Sequence, residues 1–332
     1  MPVGALATEA GIFDGFLEMP VSFNIHTLRE QYLKTLIIKL GATGDVVRTT
    51  TLLNVLEGEI HWLTADMNTV MVEPLDQVSE CLPWRNRSIL SGREYDLVIN
   101  LEDAQETAVL LKTISFKELY GAYIDNFGHL VYTDSSRDWF DLSLISRFGR
   151  KRADQLKLKN RQSYQELVFR GLGYHFSGHP YVLPAATETD LKGDIAIAPK
   201  SGEVWPMKNW AYFDQFKQLL EERGYRVNYL PMRETLLEHL GDIQNHHFLI
   251  SGDSLPMHLG LGSRLRCLAM FFCTSPWEIY DYGLLNKLIS PRLTEFFYMR
   301  GFFREAVTAL SLENVKNAFD ALATSQQASG FH

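Results

Sequence analysis

Along the first third of the chain, short apolar blocks alternate with longer amphipathic runs. TLIIKL (35–40) reads as a buried strand, DVVRTTTLLNVL (45–56) as a helix, EIHWLTA (59–65) and YDLVINL (95–101) as further strands, and EDAQETAVLLKTI (102–114) as another helix. Strands that alternate with helices in this way predict a parallel sheet covered by helices. YGAYIDNFGHLVYTD, Tyr120–Asp134, alternates differently. It predicts a hairpin that turns at Asn126–Gly128 and decorates the end of the first domain. The βα theme then restarts. DIAIAPK, YRVNYLP, HFLI and CLAMFF read as strands. A helix from about Tyr212 to Arg223, RETLLEHLGDI, and a short helix after HFLI lie between them, and a last helix opens at Ser311.

The pattern therefore predicts two α/β domains in tandem, 34–150 and 176–322. Between them FGRKRADQLKLKNRQ, Phe148–Gln162, is polar and basic, and Ser163-x-x-Glu166 forms a capping box for a helix ending at Gly171. Residues 151–175 read as a helical connector. The extension 1–33 lacks the basic start of a signal peptide and carries Glu9, Asp14 and Glu18. The small, polar end of the chain, 323–332, is expected to be a flexible tail.

Composition narrows the classes. The 332 residues suffice for two domains, and 46% hydrophobic with 22% charged residues is ordinary globular usage. A formal net charge of −8 with no long basic tract argues against a nucleic-acid partner. Three cysteines, Cys81, Cys267 and Cys273, are too few for a disulfide framework, so a reducing cytoplasm is expected. No apolar run reaches the roughly 20 residues that span a bilayer.

Three segments carry chemistry. LGATGDVVRT, Leu40–Thr49, is a glycine-rich turn between a strand and a helix, with Thr43 and Gly44 able to approach phosphate and Asp45 able to cap the helix or act as a base. SGEVWPMKNWAYFDQF, Ser201–Phe216, sets Ser201 and Lys208 between a strand and a helix, where a lysine can meet phosphate oxygens. HFLISGDSLPMHLGLG, His247–Gly262, places Gly252, Asp253, Ser254, Leu255 and His258 where a strand ends and a helix begins. Asp253 or Ser254 suits the cap there and Pro256 the first turn. In open α/β sheets that end of the strands is where ligands bind, because helix-start amides face the crevice. There is no D-x-D metal signature, and His175-x-x-x-His179 is broken by Pro180 and lacks further ligands at recognisable spacing.

Taken in order and spacing, KLGATGDVVRTTTLL, YDLVINLEDAQETAVLL, WPMKNWAYFDQFKQLLEERGYRV and LISGDSLPMHLGLGSRLRCLAMFFCTSP resemble glycosyltransferase family 9, the heptosyltransferase family of lipopolysaccharide assembly. The resemblance covers nearly everything from Lys34 to Leu322. It implies a GT-B fold, two Rossmann-like domains facing each other across a cleft, with acceptor on the first domain and nucleotide sugar on the second. It further implies an inverting, metal-independent transferase, with ADP-heptose as donor and heptose as the sugar moved to an acceptor hydroxyl. The aspartate matching Asp45 would be the general base and Lys208 would contact donor phosphate. The loop Asp253–His258 would line the donor site, with Asp253 and His258 orienting sugar or diphosphate. The acceptor, a glycan, lipid-linked, protein or small-molecule hydroxyl, and the oligomeric state are left open. Leu255 stands where the family usually has glycine, and Glu234 is the nearest candidate for the acidic residue at the ribose. Two other readings keep the fold: a non-catalytic nucleotide-sugar-binding or assembly subunit, and another GT-B enzyme such as a nucleotide-sugar epimerase.

Overall fold

The computed structural model describes residues 34–328, and the calls on the extension 1–33 and on residues 329–332 lie outside it. The chain forms two sheets. The first contains β1 (Lys34–Ile38), β2 (Glu59–Thr64), β3 (Glu80–Pro83), β4 (Glu94–Asn100), β5 (Ser115–Ile124) and β6 (Leu130–Tyr132), in the order β3-β2-β1-β4-β5-β6. All neighbours are parallel except β6, which returns antiparallel on β5. The second contains β7 (Ile195–Ala198), β8 (Val227–Tyr229), β9 (Phe248–Gly252), β10 (Arg266–Phe271) and β11 (Leu285–Ile289), all parallel, in the order β11-β10-β9-β7-β8.

Both sheets are buried on both faces. Ile37 and Ile99 face one apolar core of the first sheet, while Leu36, Ile38 and Val98 face the other. In the second sheet Ala196, Leu249 and Ala269 face one core and Ile197, Ile250 and Met270 the opposite one. This is why the strands read as continuous apolar blocks. In each sheet the chain reverses its direction of winding once, between β1 and β4 and between β7 and β9. Loops leaving the C-terminal ends of these pairs diverge and open a crevice.

Several elements differ from the sequence reading. The helix after β1 is Thr43–Thr49, capped by Ala42, and continues as a tighter 3₁₀ segment, Thr50–Asn54. Asp45 is therefore the third residue of the helix and not its cap. β3 and β11 escape the pattern because each is short and only partly buried. The hairpin is present, but β5 is a full parallel partner of β4 and not a decoration. Their contact is tight: a Cβ on Gly121 would lie 1.8 Å from the Asn100 carbonyl, and its φ of +120° suits glycine.

The capping box Ser163/Glu166 is formed, and its helix, Tyr164–Gly171, packs on the first sheet. Tyr164, Val168 and Phe169 belong to the core of the first sheet. The last helix runs from Leu312 to Ala328, beyond the point where a tail was expected to begin. Alanine and glutamine favour helix, and no glycine or proline interrupts it before Gly330.

The two halves meet where Val47 and Met71 of the first join the apolar cluster of Leu249, Met257 and Leu259 in the second. No described helix is long and apolar enough to cross a membrane.

Candidate active site

The crevices of the two sheets open into one cleft of about 580 Å³. Thr43, Gly44 and Asp45 line it from the first sheet, Ser201 and Lys208 from the loop after β7, and Asp253, Ser254, Leu255 and His258 from the turn after β9. These candidate residues are thus brought to one place, whereas Gly252 does not line the cleft. Gly252 acts one step back: a Cβ there would lie 2.5 Å from the Lys208 carbonyl, so glycine lets the end of β9 pass against the turn that carries the lysine.

The glycine-rich turn is held by residues just past the ends of β4 and β2. Glu102, just past β4, accepts from the Leu40 amide at 2.8 Å and from Lys39 Nζ at 2.7 Å. Thr43 donates its hydroxyl to Asn68 at 2.7 Å, and Asn68 donates to the Leu40 carbonyl at 2.7 Å. The Thr43 hydroxyl is therefore committed to the scaffold. Asp45 turns its half-exposed carboxylate to the cleft and meets Arg48 Nη2 at 3.0 Å. Burial alone would disfavour its charge, but Arg48, Lys39 and His258 outweigh it and hold the pKa below the ordinary aspartate value.

On the opposite wall, Lys208 Nζ donates to Asp253 Oδ2 at 2.8 Å, and the Thr274 hydroxyl donates to the same oxygen at 2.6 Å. Against the penalty of burial, the Lys208 charge and these hydrogen bonds bring the Asp253 carboxyl down to about 2. Asp253 thus holds the lysine in place. Ser201 lines the cleft, but its hydroxyl lies 2.8 Å from both the Trp205 carbonyl and Asn209 Oδ1, shaping the loop. Ser254 is the N-cap of the helix Leu255–Gly262, and its side chain makes no capping bond; Pro256 has no N–H and the Met257 amide donates to the Ser254 carbonyl at 3.0 Å, so of the first three helical residues only Leu255 can offer an amide to the cleft.

His258 is 5% exposed and packs at the seam between the halves. A Cβ on Gly44 would lie 2.8 Å from its ring carbon Cδ2, so only glycine fits the helix so close to the imidazole. The Tyr181 hydroxyl is 3.3 Å from Nδ1, and Gln165 donates to Tyr181 at 3.2 Å, an order that fits a neutral ring with its proton on Nε2. Burial, aided by Arg48, pushes the imidazole down to about 4.

The sequence reading missed Arg48, Glu278, Lys157, Trp205 and Arg300, which also line the cleft. Arg48 had a signal, since a position three past Asp45 on a helix places the two side chains together. Glu278 had none, because its partners Lys157, at 3.3 Å, and Arg48, at 3.9 Å, are remote in the chain. Glu234 does not line the cleft. Among the described residues no three His, Cys, Asp or Glu side chains converge as a metal would require.

No family model and no curated protein matches this sequence. Solved structures do. The glycosyl transferase family 9 protein from Veillonella parvula superposes with a TM-score of 0.60 at 16% identity, over 89% of this chain and 98% of that one. The E. coli heptosyltransferase WaaC, solved with ADP-2-deoxy-2-fluoro heptose, gives 0.55 at 15% identity, over 87% of this chain and 100% of that one. The iron-containing dodecameric glycosyltransferase TibC from enterotoxigenic E. coli gives 0.55 at 12%, over 90% of this chain and 80% of that one. The chain therefore has the GT-B fold of these enzymes, as its sequence motifs implied.

A buried neutral histidine has a signature in stability. The unfolded chain takes up a proton near the ordinary 6.5, whereas the folded one resists it until about 4, a difference of about 3 kcal/mol that folding loses as pH falls through that window. His258→Gln should remove this loss. Urea unfolding of both proteins between pH 7 and pH 4 is expected to show the parent losing stability more steeply; parallel curves would mean that His258 titrates normally.

Proposed function

We propose that the chain is an inverting glycosyltransferase that moves a sugar from a nucleotide-diphosphate sugar to an acceptor hydroxyl without a metal ion. The observation that carries this reading is the convergence in one cleft of an ionised carboxylate from one sheet, Asp45, with a lysine and a helix start from the other, Lys208 and the turn Ser254–Leu255. The GT-B likeness supports the division of labour, with acceptor on the first domain, 34–150, and donor on the second, 176–322. ADP-heptose is the donor proposed, supported by the nucleotide-sugar analogue named for WaaC. A reducing cytoplasm is the compartment proposed, supported by three free cysteines.

In this mechanism Asp45 accepts the proton of the acceptor hydroxyl while that oxygen forms a bond to the anomeric carbon from the face opposite the departing group. The bond from that carbon to the diphosphate oxygen breaks, and its electron pair leaves with the nucleoside diphosphate. A low pKa makes Asp45 a weak base but keeps it available as the anion, and a bound diphosphate would raise its proton affinity. Lys208, with the Leu255 amide and the positive end of the helix Leu255–Gly262, meets the growing charge on the leaving group. Lys208 must then exchange Asp253 for phosphate, or be shared between them.

Asp45→Asn preserves shape and removes the basic site. ADP binding by calorimetry should persist, while ADP release from ADP-heptose in the presence of acceptor should fall by at least about 10². Turnover close to the parent's would take Asp45 out of the mechanism.

Lys208→Ala removes a charge-assisted bond to phosphate, worth about 1.5–3 kcal/mol. ADP affinity should weaken roughly tenfold to a hundredfold; unchanged affinity would make Lys208 only the partner of Asp253.

The iron named for TibC makes chelation the direct check on the metal-free half of the proposal. Turnover is expected to survive exhaustive EDTA treatment, and a loss that an added metal ion restores would overturn it.

A further inference from the structure

Arg48 is the most constrained charge in the cleft. It is 6% exposed, yet it sits on a helix whose outer neighbour, Asp45, reaches the solvent of the cleft. One guanidinium nitrogen is 3.0 Å from Asp45 Oδ1 and another is 3.9 Å from Glu278 Oε2. The guanidinium carbon lies 4.2 Å from the Tyr164 ring centre and 5.6 Å from that of Trp139, and the Nε is buried without an acceptor. Glu278 is itself fixed by Lys157 at 3.3 Å and by the Tyr298 hydroxyl at 3.3 Å.

The arrangement crosses the molecule. Asp45 and Arg48 belong to the helix after β1, Tyr164 to the helix that packs on the first core, and Glu278 to the loop after β10 of the second sheet. An exposed pair three residues apart on a helix is worth only a few tenths of a kcal/mol. Burying an arginine instead incurs a large desolvation penalty, which several partners must offset together. A planar, always-charged fork between two carboxylates suits that role as a lysine does not.

We propose that Arg48, shared between Asp45 and Glu278 and stacked on Tyr164, is a positioning residue that aims the base carboxylate into the cleft and ties it to the registration of the two domains. The inference rests on the reading of Asp45 as base. Glu278 supplies the second arm of the clamp from the donor-holding domain. Its grip on Arg48 exists only while the two domains are packed as they are here, so a shift at the seam reaches the base through the guanidinium. The charged and titratable groups that face Asp45 are Arg48 on its own helix, Lys39 at the end of β1, His258 on the helix Leu255–Gly262 and Asp253 after β9. Of these, Arg48 alone touches the carboxylate as an ion pair.

The test uses the full chain labelled with ¹³Cγ-aspartate, the Asp45 signal being identified by its loss in Asp45→Asn. In Arg48→Gln the Asp45 carboxyl should titrate at higher pH than in the parent. Turnover of ADP-heptose should fall about 10- to 100-fold in kcat, as expected for a misplaced catalytic group, with ADP affinity kept within about twofold. Arg48→Lys should restore the titration but only part of the rate. Glu278→Gln should lower kcat without raising the Asp45 midpoint. A folded Arg48→Gln protein with the parent's midpoint and the parent's kcat per active site would overturn the proposal, even with a lower melting temperature, since a merely structural arginine does that. The carboxyl titration requires no substrate, so it judges the clamp whether or not ADP-heptose is turned over. An inactive Asp45→Asn beside an unaffected Arg48→Gln removes the clamp alone, whereas an active Asp45→Asn removes the base and the clamp with it.

Discussion

The close approach of the helix Thr43–Thr49 to the imidazole of His258 is the constraint on which the cleft depends. Gly44 leaves no room for a Cβ against the ring, so the first helix of one sheet is seated on the helix Leu255–Gly262 of the other. The apolar contacts of Val47 and Met71 with the second core lie at the same seam. With the seam fixed, the two crevices face each other at the C-terminal ends of β1 and β4 and of β7 and β9. Side chains from loops more than 150 residues apart then share a single volume. A wider seam would leave two shallow crevices, each with half of the chemistry.

Electrostatics follow from that geometry. Along the cleft walls Arg48 pairs with Asp45, Lys157 with Glu278 and Lys208 with Asp253, so both signs of charge are interspersed and do not form a single-sign field. Such pairs cost desolvation and are weak contributors to stability, but they keep cations oriented in a water-poor site. Lys208 is the clearest case, since Asp253 is itself held by Thr274 and presents the ammonium beside the uncapped helix start. Under the proposed function, an incoming diphosphate would find the cation already placed and would need only to replace part of the attraction of Asp253. The same low-dielectric setting leaves His258 neutral, which makes it a packing and hydrogen-bonding residue at neutral pH.

Legibility from the sequence varied with the range of the interaction. Strong apolar periodicity located β1, β2, β4, β7, β9 and β10, because a strand covered on both faces must be apolar throughout. β3 and β11 carry exposed or half-buried positions and have no such block. Ser163 and Glu166 announced the start of a helix through a three-residue spacing, but not that Tyr164, its first residue, would lie in the first core and under Arg48. Asp45 was legible as a cap or a base, since aspartate is a favoured N-cap residue; Ala42 takes that place and sets Asp45 three residues further in, onto the face shared with Arg48.

What the sequence determined by itself was local: the βα alternation, the positions where strands give way to helices, and the residue types able to handle a proton or a phosphate at those points. Spacing and hydrophobic pattern encode these because they act over one helical turn or one strand. The tertiary structure decided which of those points meet. It joined Asp45 to Lys208 and Asp253 in one cleft, committed the hydroxyls of Thr43 and Ser201 to their own loops, and made Gly252 and Gly44 matters of close approach. It also supplied Glu278 as a partner for Arg48 from 230 positions away. Such pairings depend on how two separately folded sheets dock, and no pattern confined to a few neighbouring residues records that docking.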